Sequence, residues 1–299
     1  PKLFQPGQIG ALEVPNRIVF AATSSELADG EGLVTDEMIE FYAERARGGT
    51  GLVVIEATYV DQEGKRLKHN AMLHNDGCIP GMVRLVDAVH EAGAKIAIQI
   101  NHGGRESVPE VSGSVPLAPS ALPSGYTGVG AAVLPRELTI AEGIVGRFAD
   151  AAARAKTAGY DAVEIHGAHG YLAGQFLSPP CNTREDRYGH DVAGRARFGV
   201  ELVEAIKARC GADFPVIFRM NARDHVPGGL ELDAAVESAL LFAAAGADAI
   251  SVSGGLHASR PYMIIPGMAT EHACYADCSA AMKERLDIPV MTVGRINTP

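Results

Sequence analysis

Two histidines and a tyrosine fall within six positions of one another, at His166, His169 and Tyr171. They follow an apolar run over residues 161–165 that is typical of a buried strand. Histidine and tyrosine can donate hydrogen bonds to a substrate oxygen, and tyrosine can also give up a proton. The helical pattern of the next element begins only later, so we predict that the three side chains lie where a strand ends and a loop begins. In parallel α/β barrels, active sites are built at that end of the strands.

The rest of the chain alternates strand and helix patterns, which predicts an α/β protein. The strand runs are rich in Val and Ile without polar alternation, so both faces are buried, as in a parallel sheet. Predicted strands cover residues 16–21, 51–57, 95–100, 161–166, 215–220, 248–253 and 288–293. Predicted helices begin after the N-cap Thr35 and near 79–92, 141–158, 192–209, 231–245 and 271–285. We predict a (β/α)8 TIM barrel with an N-terminal hairpin cap over residues 3–13.

Seven strands are counted where a closed barrel needs eight, so the last strand–helix unit is expected to be missing from this chain. Either the count is one short, or residues 1–299 are the N-terminal part of a longer protein. We favour the second interpretation because closure of a barrel removes its bare sheet edges. A flavodoxin-like open sheet is the structural alternative, although it usually needs fewer strands.

Composition excludes several classes of function. The chain has 299 residues, 47% of them hydrophobic and 21% charged, which is ordinary for a soluble globular domain. A formal net charge of −10 without a basic cluster argues against binding to nucleic acid or to an anionic membrane. The five cysteines have no paired spacing, so we expect reduced thiols and no metal site. With no signal segment or apolar run of about 20 residues, the expected location is cytoplasmic.

Residues 103–140 form the one long segment without periodicity, and they are rich in Gly, Pro and Ser. A loop of this length inside a compact domain is usually a lid or a binding loop. Its place after the third strand, at the same barrel end as His166, favours a lid over a disordered excursion.

The strand-end sequences together resemble the old yellow enzyme (NADH:flavin oxidoreductase) family. The chain is most similar to the bacterial branch of 2,4-dienoyl-CoA reductases, 2-enoate reductases and trimethylamine dehydrogenase. The resemblance covers essentially the whole chain. It rests on residues 15–21, 99–105, 164–172, 175–179, 182–189, 195–198, 218–219, 253–255 and 293–295.

The resemblance implies FMN across the C-terminal mouth of the barrel, with NAD(P)H as reductant. A fixed arginine near flavin N1 would stabilise the anionic reduced ring. The residues that the resemblance places against the ring are Ala21, Ala22, Thr23, Ala57, Gln99 and Arg219. Those that it places at the phosphate are Gly254, Gly255, Gly294 and Arg295. Larger relatives carry a 4Fe-4S cluster and an FAD-binding part after the barrel, neither of which lies within residues 1–299.

The resemblance also assigns catalytic roles. His166 and His169 would grip a substrate carbonyl, Tyr171 would protonate the α-carbon, and His257 would assist the tyrosine. These roles imply NAD(P)H-dependent reduction of the activated C=C bond of an enoate, enone or enoyl-CoA. The alternative is an amine dehydrogenase or demethylase of the trimethylamine dehydrogenase type. Histidine at position 166, where that type typically has tyrosine, favours alkene reduction.

Other interpretations stay open. A barrel without flavin could bind a phosphorylated metabolite or act as a lysine-dependent lyase or aldolase, although no lysine is predicted at a strand end. His102 and His225 suit either a site or a loop hydrogen bond, and Arg105 suits either an anionic substrate group or a structural pair. No dinucleotide-binding fingerprint is present, so NAD(P)H would use the same mouth as the small-molecule substrate. A homo-oligomer is compatible with the sequence.

Overall fold

The structure, a computed structural model, describes residues 2–124, 133–138, 141–259 and 262–298, with only the backbone at 141 and 142. Its strands are β1 (Gly7–Ile9), β2 (Leu12–Val14), β3 (Val19–Phe20), β4 (Leu52–Tyr59), β5 (Lys95–Asn101), β6 (Leu117–Ala118), β7 (Arg136–Glu137), β8 (Ala162–Gly167), β9 (Val216–Asn221), β10 (Ala249–Ser253) and β11 (Val290–Thr292). Its helices are α1 (Asp36–Arg47), α2 (Ile79–Glu91), α3 (Pro109–Ser112), α4 (Ala141–Thr157), α5 (Leu172–Leu177), α6 (Val192–Cys210), α7 (Leu232–Ala244) and α8 (Ala276–Arg285).

The main sheet contains seven parallel strands that pair side by side in chain order: β3, β4, β5, β8, β9, β10 and β11. A doubly wound sheet reverses its strand order at a switch point, and this sheet does not. Because crossovers between parallel strands are right-handed, an unreversed order places all the helices on one face. The sheet therefore curls as a half-barrel of the TIM-barrel type. The predicted α/β barrel fold is confirmed, and the flavodoxin-like alternative is wrong.

The predicted elements occur in the structure, with differences at several element ends and one helix that begins earlier than predicted. Thr35 caps α1 as expected, its hydroxyl accepting a hydrogen bond from the Met38 amide at 3.2 Å. The strand predicted over 51–57 continues to Tyr59, and the helix predicted over 271–285 begins only at Ala276. Helix α5 follows Tyr171 directly, so the prediction that the next helix begins later was wrong. All six residues of α5 are buried, so it has no polar face to produce a helical pattern.

The inward faces of the strands are apolar at their N-terminal ends. These apolar residues form a second core cluster, which we call the barrel floor. The β1–β2 hairpin, paired antiparallel from Gly7 opposite Val14, contributes three of them. The predicted hairpin cap is thus confirmed as the closure of this end. The floor comprises Ile9, Leu12, Val14, Leu52, Val54, Ala97, Ala162, Ile217 and Ala249.

The same faces become polar toward the C-terminal ends of the strands. Side chains two residues apart on a strand share a face, so these polar groups continue the interior above the floor. All of them are buried, and we call this region the polar mouth. It comprises Gln99, Asn101, Glu164, His166, Arg219, Asn221, Ser251 and Ser253.

Part of the predicted lid, 103–140, is described. It contains α3 and the strands β6 and β7, which pair in parallel from Leu117 opposite Arg136. Residues 125–132 and 139–140 lie outside the described residues. Among the helices in the described part of the chain, none is long and apolar enough to cross a membrane.

Candidate active site

A tight turn after β8 carries two of the candidate catalytic residues. His166 is still in the strand, and the chain then turns through His169 and Gly170, with φ of 63° and 86°, before α5. A non-glycine residue rarely adopts this left-handed backbone, so the fold must hold His169 in place. The His169 amide donates to the side-chain oxygen of Asn221 at 3.2 Å, which fixes the turn against β9.

The structure brings the four candidate catalytic side chains together at the mouth. The ring centroids of His166 and His169 are 5.1 Å apart, and those of His166 and Tyr171 are 4.7 Å apart. His257 comes from the loop after β10, and its ring centroid lies 5.4 Å from that of Tyr171. We call these four residues the mouth cluster.

The three histidines of the mouth cluster are uncharged at neutral pH. Burial, assisted by the nearby positive charge of Arg219, holds the pKa of His166 and of His169 well below the usual value. Burial first, and the charge of Arg66 second, lower the pKa of His257 to about 3. A neutral imidazole has one N–H donor and one acceptor. The cluster can therefore donate hydrogen bonds to a substrate oxygen without adding positive charge.

A hydrogen-bonded frame joins the loops around the cluster. His169 Nε2 and the Ser253 hydroxyl lie 2.7 Å apart at the end of β10. The side-chain amide of Asn221 donates to the Asp224 carboxylate at 2.9 Å and to the Gly255 carbonyl at 3.1 Å. The loops after β8, β9 and β10 are thus tied together. The sequence analysis gave Asn221 and Ser253 no role, although Ser253 ends one predicted strand and Asn221 directly follows another.

Arg66 is a third residue that the sequence analysis missed. Its Nη1 donates a hydrogen bond to the Tyr171 hydroxyl at 3.2 Å, across 105 residues of chain. It belongs to a charged stretch after β4 that reads as a solvated loop, so only the fold reveals the contact. Burial raises the pKa of the half-buried Tyr171, and the charge and hydrogen bond of Arg66 oppose that rise.

Three buried polar and charged side chains adjoin the cluster on neighbouring strands. Gln99 donates to the Glu164 carboxylate at 2.6 Å, and Arg219 lies beside His166 in the register of β8 and β9. Burial raises the pKa of Glu164 and lowers that of Arg219. Arg219 is only 6% exposed, yet its Nε and Nη1 have no acceptor within the described part of the chain. Unpaired buried donors are costly, so the mouth has donors ready for an acceptor that the described protein groups do not supply.

The remaining residues predicted at the flavin ring line the same end. Ala57 is buried next to an irregularity in the pairing of β4 with β5, between Ile55 and Ala57. Ala21 and Ala22 are half-buried just past β3, and Thr23 is exposed, with its hydroxyl donating to the Ala21 carbonyl at 3.2 Å.

Two of the four residues predicted at the phosphate pack against the buried Tyr275. A Cβ on Gly254 would lie 2.6 Å from the Tyr275 hydroxyl, and one on Gly294 would lie 2.8 Å from the Tyr275 ring. The Gly255 amide donates to the Arg223 carbonyl at 2.9 Å, and the Arg295 guanidinium donates to the Thr270 carbonyl. Close packing on Tyr275 thus accounts for two of the glycines. Their role in phosphate binding stays a prediction.

Four further side chains have structural contacts near the mouth. Glu56, fully buried in β4, accepts from the Ser25 hydroxyl at 2.7 Å and from the Ala71 amide at 3.0 Å. In the sequence, Glu56 could have been noticed as the one acidic residue of an otherwise apolar strand. His102 accepts from the Gly104 amide at 3.0 Å, which favours the loop role, and Arg105 pairs with Glu106 at 3.4 Å. His225 packs near Tyr275, with ring centroids 6.1 Å apart.

Comparison with known proteins identifies the family. A family model described as the NADH:flavin oxidoreductase / NADH oxidase family matches residues 2–299. The chain belongs to this family. Its members bind FMN and use NAD(P)H, so the resemblance of the strand-end sequences is confirmed.

Similar proteins include reductases and an oxidase. The chain is 41% identical to the NADH oxidase of Thermoanaerobacter brockii over 100% of its own length and 46% of that protein. It is 35% identical to the cinnamate reductase of Clostridium sporogenes over 99% of its own length and 48% of that protein. A solved 2-naphthoyl-CoA reductase complex superposes with a TM-score of 0.91 at 30% identity, covering 97% of this chain and 46% of the other. The chain thus spans about half the length of each of these proteins.

The cofactor of the family fits the residues at the mouth. The pyrimidine end of a flavin presents carbonyl oxygens and a nitrogen. These atoms could accept hydrogen bonds from Nε and Nη1 of Arg219, which have no acceptor among the described residues. Gln99 and Ala57 are both buried, and they pair with each other in the register of β4 and β5. A buried cation here matches a ring that gains negative charge on reduction.

Proposed function

We propose that the protein is an FMN-dependent oxidoreductase that reduces the activated C=C bond of an α,β-unsaturated carbonyl compound with electrons from NAD(P)H. The substrate is an enoate, an enone or an enoyl-CoA. The observation that carries the proposal is the mouth cluster, in which neutral histidines and a tyrosine lie beside the buried Arg219. Similarity to a cinnamate reductase supports the same substrate class.

Gln99 and Arg219 would hold the pyrimidine end of the cofactor. When bound, FMN supplies a hydride to the β-carbon of the substrate. Arg219 is positioned to stabilise negative charge on the reduced ring, because its guanidinium is buried and its charge is poorly screened.

His166 and His169 would act on the carbonyl oxygen. Hydrogen bonds from neutral N–H groups draw electrons from the conjugated system and make the β-carbon electrophilic. Because both imidazoles are uncharged, they would stabilise the developing oxyanion by donating hydrogen bonds and not by transferring a proton. Ser253 fixes the orientation of His169 through its 2.7 Å contact with Nε2. Tyr171, whose ring adjoins His166, then gives its hydroxyl proton to the α-carbon.

The charge at the mouth favours a carbonyl substrate over an amine. Most alkylamines are cations near neutral pH. An amine at the mouth cluster would meet Arg219 on one side and Arg66 on the other. Like charges in a partly buried site repel, whereas a polarised carbonyl oxygen is attracted.

Anaerobic spectroscopy of the purified protein tests the function. The flavin is first bleached with NADH or NADPH and then mixed with trans-cinnamate or 2-cyclohexenone. We expect return of the oxidised spectrum and formation of the saturated product. Bleaching of the oxidised flavin by trimethylamine, with no reoxidation by either alkene, would instead select the amine dehydrogenase alternative.

Tyr171→Phe tests the assigned proton donor. Loss of a general acid should slow the alkene step by about 10²–10⁴-fold, while reduction of the flavin by NAD(P)H should change little. Tyr188→Phe is the matched control, because the Tyr188 hydroxyl bonds Glu201 on α6 at 2.9 Å instead of joining the cluster. Equal slowing of both steps in Tyr171→Phe would contradict the role.

A further inference from the structure

The phenol oxygen of Tyr171 has a positively charged neighbour. Arg66 reaches it from the loop after β4, with Nη1 3.2 Å from the hydroxyl oxygen. The guanidinium has no acceptor atom, so it donates and the phenol oxygen accepts. With one lone pair so occupied, the hydroxyl hydrogen of Tyr171 is directed away from Arg66.

Among the described residues, the other groups that adjoin Tyr171 lack a positive charge that could serve the same purpose. His166 and His257 flank the tyrosine ring, at 4.7 and 5.4 Å between centroids, but burial keeps both imidazoles neutral. Glu106 acts in the opposite sense, since its negative charge raises the pKa of Tyr171. A phenolate in this half-buried site therefore depends on the charge of Arg66 for its stability.

We propose that Arg66 is a positioning residue for proton transfer: it orients the Tyr171 hydroxyl toward the substrate and stabilises the phenolate that the transfer leaves. The proposal rests on the proposed function, because it assigns a partner to the proton donor of that reaction. Arg66 acts through Tyr171 and needs no contact with the substrate.

The proton-transfer step balances without a further reactant. Once the β-carbon has received its hydride, the α-carbon holds the electron pair of the former double bond as an enolate. The O–H bond of Tyr171 breaks, its electrons stay on oxygen, and the enolate pair forms the new C–H bond. A proton from solvent water then restores the phenol.

Two variants separate the charge of Arg66 from its size. Arg66→Lys keeps a cation, whereas Arg66→Gln keeps a donor without charge. With Arg66→Gln we expect the alkene step to slow about tenfold and its solvent isotope effect to rise, because proton transfer becomes harder. Arg66→Lys should recover most of the rate. Reduction of the flavin by NADPH, measured in the same preparations, should stay at the wild-type rate in both variants.

A double variant tests whether Arg66 acts through the tyrosine. In the Tyr171→Phe background, Arg66→Gln should slow the alkene step no further, since the phenol it serves is absent. An additional tenfold loss there would overturn the proposal, and so would a wild-type rate in the single variant Arg66→Gln.

A titration without turnover keeps this proposal distinct from the proposed function. With 3-fluorotyrosine at position 171, the fluorine NMR shift reports ionisation of the phenol. Arg66→Gln should raise the midpoint by about one pH unit and Arg66→Lys should leave it nearly unchanged. An unmoved midpoint in Arg66→Gln overturns the proposal even if alkenes are reduced. If no alkene reoxidises the reduced flavin of the wild-type protein, the proposed function is overturned. The role of Arg66 in proton transfer is then overturned as well, whatever the midpoint of the phenol titration.

Discussion

The barrel floor and the polar mouth occupy the same faces of the same strands, yet the side chains of the floor are apolar and those of the mouth are polar or charged. On β9, Ile217 belongs to the floor and Arg219, two residues later, to the mouth. On β10 the sequence passes from Ala249 to Ser251 and Ser253 in the same way. Floor residues have their contacts within the fold, whereas Arg219 has buried donors without an acceptor among the described residues.

The barrel floor thus serves stability and the polar mouth serves ligand binding, although both lie on the same strands. Burying apolar side chains at the floor stabilises the fold by about 1.5–3 kcal/mol for each large side chain. Burying charges and amides at the mouth costs free energy unless they are paired. The floor and the outer core must therefore hold the fold while the mouth keeps groups available for ligands.

Substitution at the floor should have the largest effect on stability. Ile217→Ala removes a fully buried side chain, so we expect the free energy of unfolding to fall by about 2–5 kcal/mol in urea titrations. FMN affinity of the folded protein should stay the same. A folded variant that had lost FMN affinity would show that the two regions are not separable.

Substitution two residues later should have the reverse effect. In Arg219→Met, FMN binding measured by fluorescence quenching should weaken about 10- to 100-fold, because charged hydrogen bonds to the ring are lost. The unfolding free energy of the cofactor-free protein should fall less than in Ile217→Ala, because the removal of an incompletely paired buried cation offsets the loss of its positive charge near Glu164. Arg209→Met is the control, because Arg209 pairs with Asp150 at the protein surface, at 2.9 Å. A strong loss of stability with unchanged FMN affinity would mean that the mouth is built like the floor.

The mouth should also make stability sensitive to acid. The pKa of His257 is about 3 in the folded protein and 6.5 when unperturbed, so between these values the unfolded chain binds a proton that the folded chain does not. Its contribution is therefore present above pH 6.5 and is lost as pH falls toward 3. In His257→Gln, the free energy of unfolding should decrease less steeply as pH falls through that window. The slope should differ from that of the wild type by up to about 1.4 kcal/mol per pH unit. Urea unfolding at several pH values measures this slope. An unaltered slope would contradict a neutral, buried His257.

The smallest effect is expected at Ser253. Ser253→Ala removes the 2.7 Å partner of His169 and should lower the unfolding free energy by about 1 kcal/mol. Because His169 is then less firmly oriented, the KM for 2-cyclohexenone should rise severalfold. Ser238→Ala on α7 is the control, because its hydroxyl bonds a carbonyl of the same helix. An unchanged KM in Ser253→Ala would contradict an orienting role.

Whether a feature could be predicted from the sequence depends on how far apart in the sequence its interacting residues lie. The strands were found because continuous apolar runs reflect burial on both faces. His166, His169 and Tyr171 were found together because the end of β8 and the turn after it carry all three within six positions. The contact of Arg66 with Tyr171 was not predictable, because it joins two loops that are distant in sequence. Helix α5 was missed because full burial leaves no alternating pattern.

The carboxylate of Glu56 has a consequence for how the mouth receives its ligands. It bonds Ser25 in the loop after β3 and Ala71 at the end of the segment that carries Arg66. Separating the two loops would leave a fully buried carboxylate without these donors, which is strongly unfavourable. The loop predicted to border the flavin and the loop that holds the tyrosine hydroxyl are therefore joined through one buried carboxylate. Little reorganisation free energy is then needed when cofactor and substrate arrive, because their surroundings are already in place.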